Sequence, residues 1–435
     1  MKCFVKNLAA AVILAAGLLP TRINAAVWVA ENEWSADWEA RYVEWVRTDF
    51  NKDIFHNPED KAIFGLALDC SDAIYAMRVL FAYQNKLPFV INDPTNGRTL
   101  SNEISKWDGF RESRRHENDD GTWKTYKGPE YTEADKLRAF IDYIGDVTST
   151  LNLVNDTYPI ALGDVRPGDM FLLPRNHAYI IRDVEPTGAM TTLSHSSPRA
   201  WRVMAEINDF PAEVPEDARK RDGYRRFKPA AYLRKNPVNV PGASTEQWQI
   251  AANLNNDIEA FKLMTQTALA KIEEPMSSKA ERLFTSLCDY TVQRVDIVNH
   301  AQNQLQHISA NAGRQCMTFN EYAEFSTPGL DKKLTGYFRL LRAMTQTPEW
   351  VQEDFALKPV IDAVFASTDT MSEQEIGEYC PVPFDIQGGR NISLREVWRG
   401  IDSGRLVSDP HAPPDMRWGL SREKWTPQCE SAKRG

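Results

Sequence analysis

Gly163-Asp164-Val165-Arg166-Pro167-Gly168-Asp169-Met170-Phe171-Leu172-Leu173, followed closely by Asn176-His177-Ala178-Tyr179-Ile180-Ile181, is the stretch that decides the fold. A Pro-Gly-Asp turn feeds one apolar run, Pro174-Arg175-Asn176 breaks it, and a histidine opens the next. Short apolar runs bounded by turn residues read as strands. The pattern continues through Met190 to Leu193 and Trp201 to Met204, separated by Glu185-Pro186-Thr187-Gly188 and by Ser196-Ser197-Pro198. Such spacing predicts an antiparallel meander, with an edge strand added around Tyr224 to Tyr232.

Upstream the period changes to that of helices. Ser35 is placed to cap a helix whose Trp38, Tyr42, Trp45 and Val46 fall on one face, so these aromatics are read as core. A second helix follows Asp69, carries Ile74, Met77, Val79, Leu80, Phe81 and Tyr83, and stops by Pro88. Asn92 to Asp120 reads as a long polar excursion with Trp107 and Phe110 embedded, and Glu133 to Ile144 as a return to helix. Downstream, residues 236–245 carry Pro237, Pro241 and Gly242 and read as a linker. The rest is helical, most clearly from Ser277 to Ala310, where Phe284, Leu287, Val295, Val298 and Leu305 form an apolar stripe. His300 and His307 on that helix lie two turns apart, which is poor ligand spacing, so no metal site is expected there. From Cys380 the tail reads as an extended wrap.

The expected division is a signal peptide at 1–25, an α+β domain at 26–235, the linker at 236–245 and a helical domain with an extended tail at 246–435. Met1-Lys2, Lys6, the uncharged run Leu8 to Leu19 and the small residues at Ala25-Ala26 have the order of a secretory signal. Export to the periplasm or beyond the cell is therefore expected, with no membrane span after cleavage. The full chain of 435 residues carries a formal charge of −9, and losing Lys2, Lys6 and Arg22 with the signal takes it to −12. An acidic surface argues against a nucleic-acid partner. Two basic clusters, Arg111 to His116 and Arg219 to Lys228, are read as solvated loops.

Five cysteines remain after the signal: Cys70, Cys288, Cys316, Cys380 and Cys429. An odd number in an oxidising compartment leaves one thiol free, and Cys70 stands apart from the other four. Cys288 and Cys316 would be about 30 Å apart on a continuous helix at 1.5 Å per residue. A disulfide needs Cα atoms within about 7 Å. Cys288 is therefore expected to pair with Cys380 or Cys429, and Cys316 with the other.

Cys70 would open the second helix, where unpaired N–H groups and the helix dipole favour a thiolate. Asp69 is a plausible cap, and Ser71, Ala73 and Ala76 are small enough to let a sheet approach. A helix-start cysteine combined with a downstream Pro-Gly-Asp turn and a histidine-led strand resembles the NlpC-type papain-like cysteine peptidases of bacterial cell walls. Asp69-Cys70-Ser71 matches the family's Asp-Cys-Ser-Gly motif, with Asp72 in place of the glycine, and Pro167-Gly168-Asp169 and His177 match its turn and its catalytic histidine. The resemblance covers Leu66 to Tyr232. It implies a papain-like fold with Cys70 as nucleophile and His177 as base. The third polar residue would come from the next strand, with His195 preferred over Ser194 and Thr192. Asp69, Ser71 and Asp72 would flank the oxyanion and the substrate.

The chemistry so implied is attack of Cys70 on an amide carbonyl, then hydrolysis of the acyl-enzyme by water, with no metal or cofactor. Peptidoglycan stem peptides are the substrate class the resemblance implies. Amidase cleavage between glycan and peptide, or acyl transfer to an amine, would use the same dyad. A papain-like binding or scaffold protein without activity is the alternative from another class.

Overall fold

The structure, a computed structural model, describes residues 26–103, 111–117, 122–211, 213–217, 219, 221–368, 370–384 and 390–429. The expected signal peptide lies outside the described residues, as do the side chains of the Arg111 to His116 cluster. The chain begins with α1 (Ala36–Thr48) and α2 (Cys70–Gln84), then the hairpins β1 (Val90–Asn92) with β2 (Thr99–Ser101) and β3 (Arg111–Glu117) with β4 (Trp123–Glu130). Helices α3 (Glu133–Val147) and α4 (Thr150–Asp156) lead into β5 (Thr157–Pro159), β6 (Met170–Leu173), β7 (His177–Val184), β8 (Met190–Ser194), β9 (Ala205–Ile207) and β10 (Gly223–Phe227). Next come α5 (Glu246–Asn253), α6 (Ile258–Leu269), α7 (Met276–Ala312), α8 (Phe319–Phe325), α9 (Pro328–Thr345), α10 (Pro348–Gln352), α11 (Lys358–Phe365) and α12 (Glu373–Tyr379). The chain closes with the hairpin β11 (Val382–Phe384) and β12 (Arg390–Ile392), then α13 (Leu394–Asp402) and α14 (Pro414–Arg417).

The architecture is α+β, with an antiparallel sheet and a helical C-terminal region. The sheet has the order β5-β10-β6-β7-β8-β9. Alternation along its strands sorts side chains onto two faces. Met170, Leu172, Ala178, Ile180 and Leu193 share one core cluster with Cys70, Ala73, Ile74 and Met77 of α2. Phe171, Tyr179, Ile181 and Tyr224 share another with Ala251 of α5 and Phe261 of α6. Helices α5 and α6, assigned from sequence to the C-terminal domain, thus cover the sheet's second face. A third cluster joins α7, α9, α11 and α13 through Leu287, Phe338, Ile361 and Val397.

The turn before β6 shows why glycine is required there. Gly168 has φ +86, and a Cβ added to it would lie 2.5 Å from the Tyr42 ring on α1. A left-handed backbone and a close approach both demand the missing side chain. Asp169, beside it, is buried and holds β10 through Arg226 at 2.7 Å.

Several sequence expectations differ from this arrangement. Trp201 to Met204 is loop, and the strand lies just after it at β9, because a backbone bridge between Leu68 and Ala200 pulls the segment toward α2 instead. The strand expected at Tyr224 is an inner one, paired on both sides, and the edge next to it is the unforeseen β5. The excursion after Asn92 forms hairpins, and the tail after Cys380 includes α13. Cysteines pair as Cys288–Cys380 and Cys316–Cys429, one of the two patterns left open, and Cys70 is free. Among the described residues no helix is long and apolar enough to cross a membrane.

Candidate active site

Cys70 is the first residue of α2 and is 3 % exposed. Asp69 caps the helix: its Oδ1 accepts from the N–H groups of Ser71 at 2.8 Å and Asp72 at 3.0 Å and from the Ser71 hydroxyl at 2.8 Å. Asp72 Oδ2 accepts in return from the Asp69 N–H at 3.1 Å, which closes a capping box. The loop that follows β8 then folds over this helix start. Leu68 and Ala200 exchange two backbone hydrogen bonds of 3.1 Å. Arg199 reaches Asp72 at 3.2 Å, Asp142 at 2.9 Å, Asp146 at 2.6 Å and the Ala67 carbonyl at 2.6 Å. Asp72 is therefore tied into the helix cap and an arginine clamp, and burial raises its carboxyl to about 6.

The thiol is held in its protonated form. Burial, and after it the Asp69 carboxylate, push Cys70 up to about 12, while the N–H groups of Ala178 and Ser71 directed at the sulfur pull the other way. Helix-start placement alone predicts a lowered value. Here desolvation and an adjacent carboxylate outweigh the helix N-terminus.

The two histidines stand at neighbouring strand ends, His177 opening β7 and His195 just past the end of β8, within electrostatic range of each other. His177 opens β7, two residues before Tyr179, and the two rings meet edge-to-face with centroids 4.5 Å apart. Tyr179 donates its hydroxyl hydrogen to Glu213 at 3.1 Å and accepts from Lys333 of α9 at 2.9 Å. Burial and the Lys333 ammonium push half-buried His177 down to about 3, against the pull of Asp69, so its ring is neutral. His195 is 2 % exposed, and its Nε2 lies 3.1 Å from the Arg202 carbonyl. Its Nδ1 is buried with no hydrogen-bond partner. Burial lowers its proton affinity too, opposed first by the backbone of Ser196, then by the Arg202 carbonyl and last by Asp69. Among the described residues no hydrogen bond joins Cys70 to either histidine. Thr192 is occupied with the Asp209 carbonyl at 3.2 Å, on the face away from α2.

Sequence reasoning did not reach Arg199, Arg202, Glu213 or Lys333, whose roles depend on loops and helices folding back over the strand ends. Tyr179 offered one local signal. A bulky residue two positions after His177 with small Ala178 between them marks Ala178, and not His177, as the residue under the helix.

Cys316, His411 and Cys429 bring their ligand atoms within 4.8 Å of one another, but both sulfurs are spent in the disulfide. His300 and His307 are both exposed on α7. Comparison of the chain with protein-family models, curated proteins and solved structures found no match.

Proposed function

We propose that this chain is an exported cysteine hydrolase of papain-like type that cleaves peptide bonds, with Cys70 as nucleophile. The observation that carries the reading is the setting of Cys70: the free cysteine of the described residues, at the capped start of a helix laid on an antiparallel sheet, with the Ala178 N–H directed at its sulfur. His177 and His195, at neighbouring strand ends, both fall within electrostatic range of Asp69 next door. A protonated thiol and a neutral imidazole suit proton transfer in step with attack, in place of a standing thiolate–imidazolium pair. The N–H of Cys70 at the helix start is the natural donor to the oxyanion that forms. Peptidoglycan stem peptides are the proposed substrate, on the resemblance of Asp69-Cys70-Ser71 and Pro167-Gly168-Asp169 to the cell-wall peptidases. Two disulfides are compatible with a periplasmic or secreted location.

A second reading, a papain-like binding or scaffold protein of the cell envelope, draws on the same burial that protonates Cys70. Digestion of purified muropeptides by wild-type and Cys70→Ala protein, followed by mass spectrometry, separates the two. Hydrolysis predicts new fragments that vanish with the alanine variant. Identical product patterns from both proteins would sink the proposal.

A further inference from the structure

Resting on that reading, we infer that His195, which strand register places on the α2 face with Cys70, is its general base, and that His177, of the opposite parity, packs with Tyr179, Glu213 and Lys333.

The placement follows from two ladders. In the β7–β8 pair Ile180 faces Leu193, so continuing that register by two residues sets His195 opposite Ala178. Ala178 is the residue whose N–H is directed at the Cys70 sulfur. In the β8–β9 pair Ser194 faces Ala205, so one step further sets His195 opposite Met204. Ala178, Leu193 and Met204 all belong to the core cluster that contains Cys70. Opposed residues of an antiparallel pair present their side chains to the same face, with Cα atoms about 4.5–5.5 Å apart. His177 has the other parity. It shares the parity of Tyr179, meets that ring directly and feels the Lys333 ammonium first, then Asp69 and His195.

Hydrogen bonding fits the same assignment. A carbonyl accepts only, so the Arg202 oxygen fixes the His195 tautomer with the proton on Nε2. The lone pair is then on Nδ1, the buried ring nitrogen that has no partner. A base needs an anchored ring with a nitrogen open to the proton; Arg202 anchors the His195 ring, and Nδ1 makes no hydrogen bond, with the Ser196 backbone close enough to favour the charged form.

The proton count closes without a co-reactant other than water. The Cys70 S–H proton passes to His195 Nδ1 as sulfur bonds to the carbonyl carbon. The same proton passes to the departing amine nitrogen as the C–N bond breaks. Water then attacks the thioester while His195 Nδ1 takes one of its protons, the C–S bond breaks, and that proton returns to the sulfur.

Full-length wild-type, His195→Gln, His177→Gln and Cys70→Ala proteins test this in two assays, muropeptide hydrolysis and the rate of Cys70 alkylation by iodoacetamide across pH. Glutamine at 195 retains an N–H donor for the Arg202 carbonyl but supplies no base, so a preserved melting temperature separates a chemical from a structural loss. Expected is a fall in kcat on the order of 10²–10⁴-fold for His195→Gln, with its alkylation rate rising only as the free thiol ionises. His177→Gln should fall by less than about tenfold, below the range for loss of a base. A large loss in His177→Gln with His195→Gln near wild type overturns the inference, and so does equal loss in both or in neither. Hydrolysis that survives Cys70→Ala instead overturns the cysteine-hydrolase reading, while the alkylation profiles still report on His195.

Discussion

Burial acts on Cys70 and His177 with opposite effects on their proton affinity, one raised to about 12 and the other lowered to about 3. For His177 the sign follows from which state binds more protons. The unfolded chain takes up a proton near the ordinary histidine value of about 6.5, whereas the folded chain resists until about pH 3. The contribution of His177 is thus fully present above about pH 6.5 and is lost as pH falls toward 3. Urea midpoints of wild-type and His177→Gln protein, measured from pH 7 to pH 4, should show wild type losing stability relative to the variant. A difference independent of pH would contradict a ring held neutral by its surroundings. At this scale the sequence made Cys70 legible through odd cysteine parity and the Asp69 cap, both of which depend on neighbours or on counting. The protonation state was not legible, because it depends on what covers the thiol. Nor was the face on which His177 lies, since a motif fixes the order of residues and not their parity in a sheet.

Among elements, the loop from His195 to Met204 does most to build the site. Reading Trp201 to Met204 as a strand and Ser196-Ser197-Pro198 as a turn before it gave no sign that Arg199 between them gathers Asp72, Asp142 and Asp146 onto the start of α2. Asp72 is 2 % exposed and keeps one carboxylate oxygen buried without a partner, so removing Arg199 leaves a nearly uncompensated charge. Arg199→Met is expected to destabilise the protein by about 2–3 kcal/mol, somewhat below the cost of breaking a fully buried pair because Arg199 keeps part of its surface in water. Urea denaturation measures this, and a loss below about 0.5 kcal/mol, the scale of an ordinary surface substitution, would show that the clamp is ornamental. Helices α1, α2 and α3 were legible because caps and apolar stripes are local signals: Ser35 and Asp69 both accept from the first turn of their helices. The order of strands was not. The pairing of β10 between β5 and β6 joins Arg225 to Pro159 and Met170, across separations that no local pattern encodes.

Across the whole molecule, the α+β first part, the long helix α7 and the choice between two disulfide patterns were readable from composition, periodicity and helix length. What escaped the sequence is how the later helices return to the sheet. Phe261 of α6 stacks on Tyr224 of β10, and Lys333 of α9 reaches Tyr179 beside His177. Those contacts unite the two faces of the sheet with separate parts of the chain: α2 and the 195–204 loop on one, α5, α6 and α9 on the other. The proposed chemistry stands on the first face and passes through a thioester on Cys70. Acid quenching of a muropeptide reaction, followed by peptide mapping of the intact full-length protein by mass spectrometry, looks for that species directly. Expected is an acyl adduct on the peptide that carries Cys70, lost in Cys70→Ala and accumulating more slowly in His195→Gln. Turnover with no adduct on Cys70, at a rate equal to that of the alanine variant, would contradict a Cys70 nucleophile.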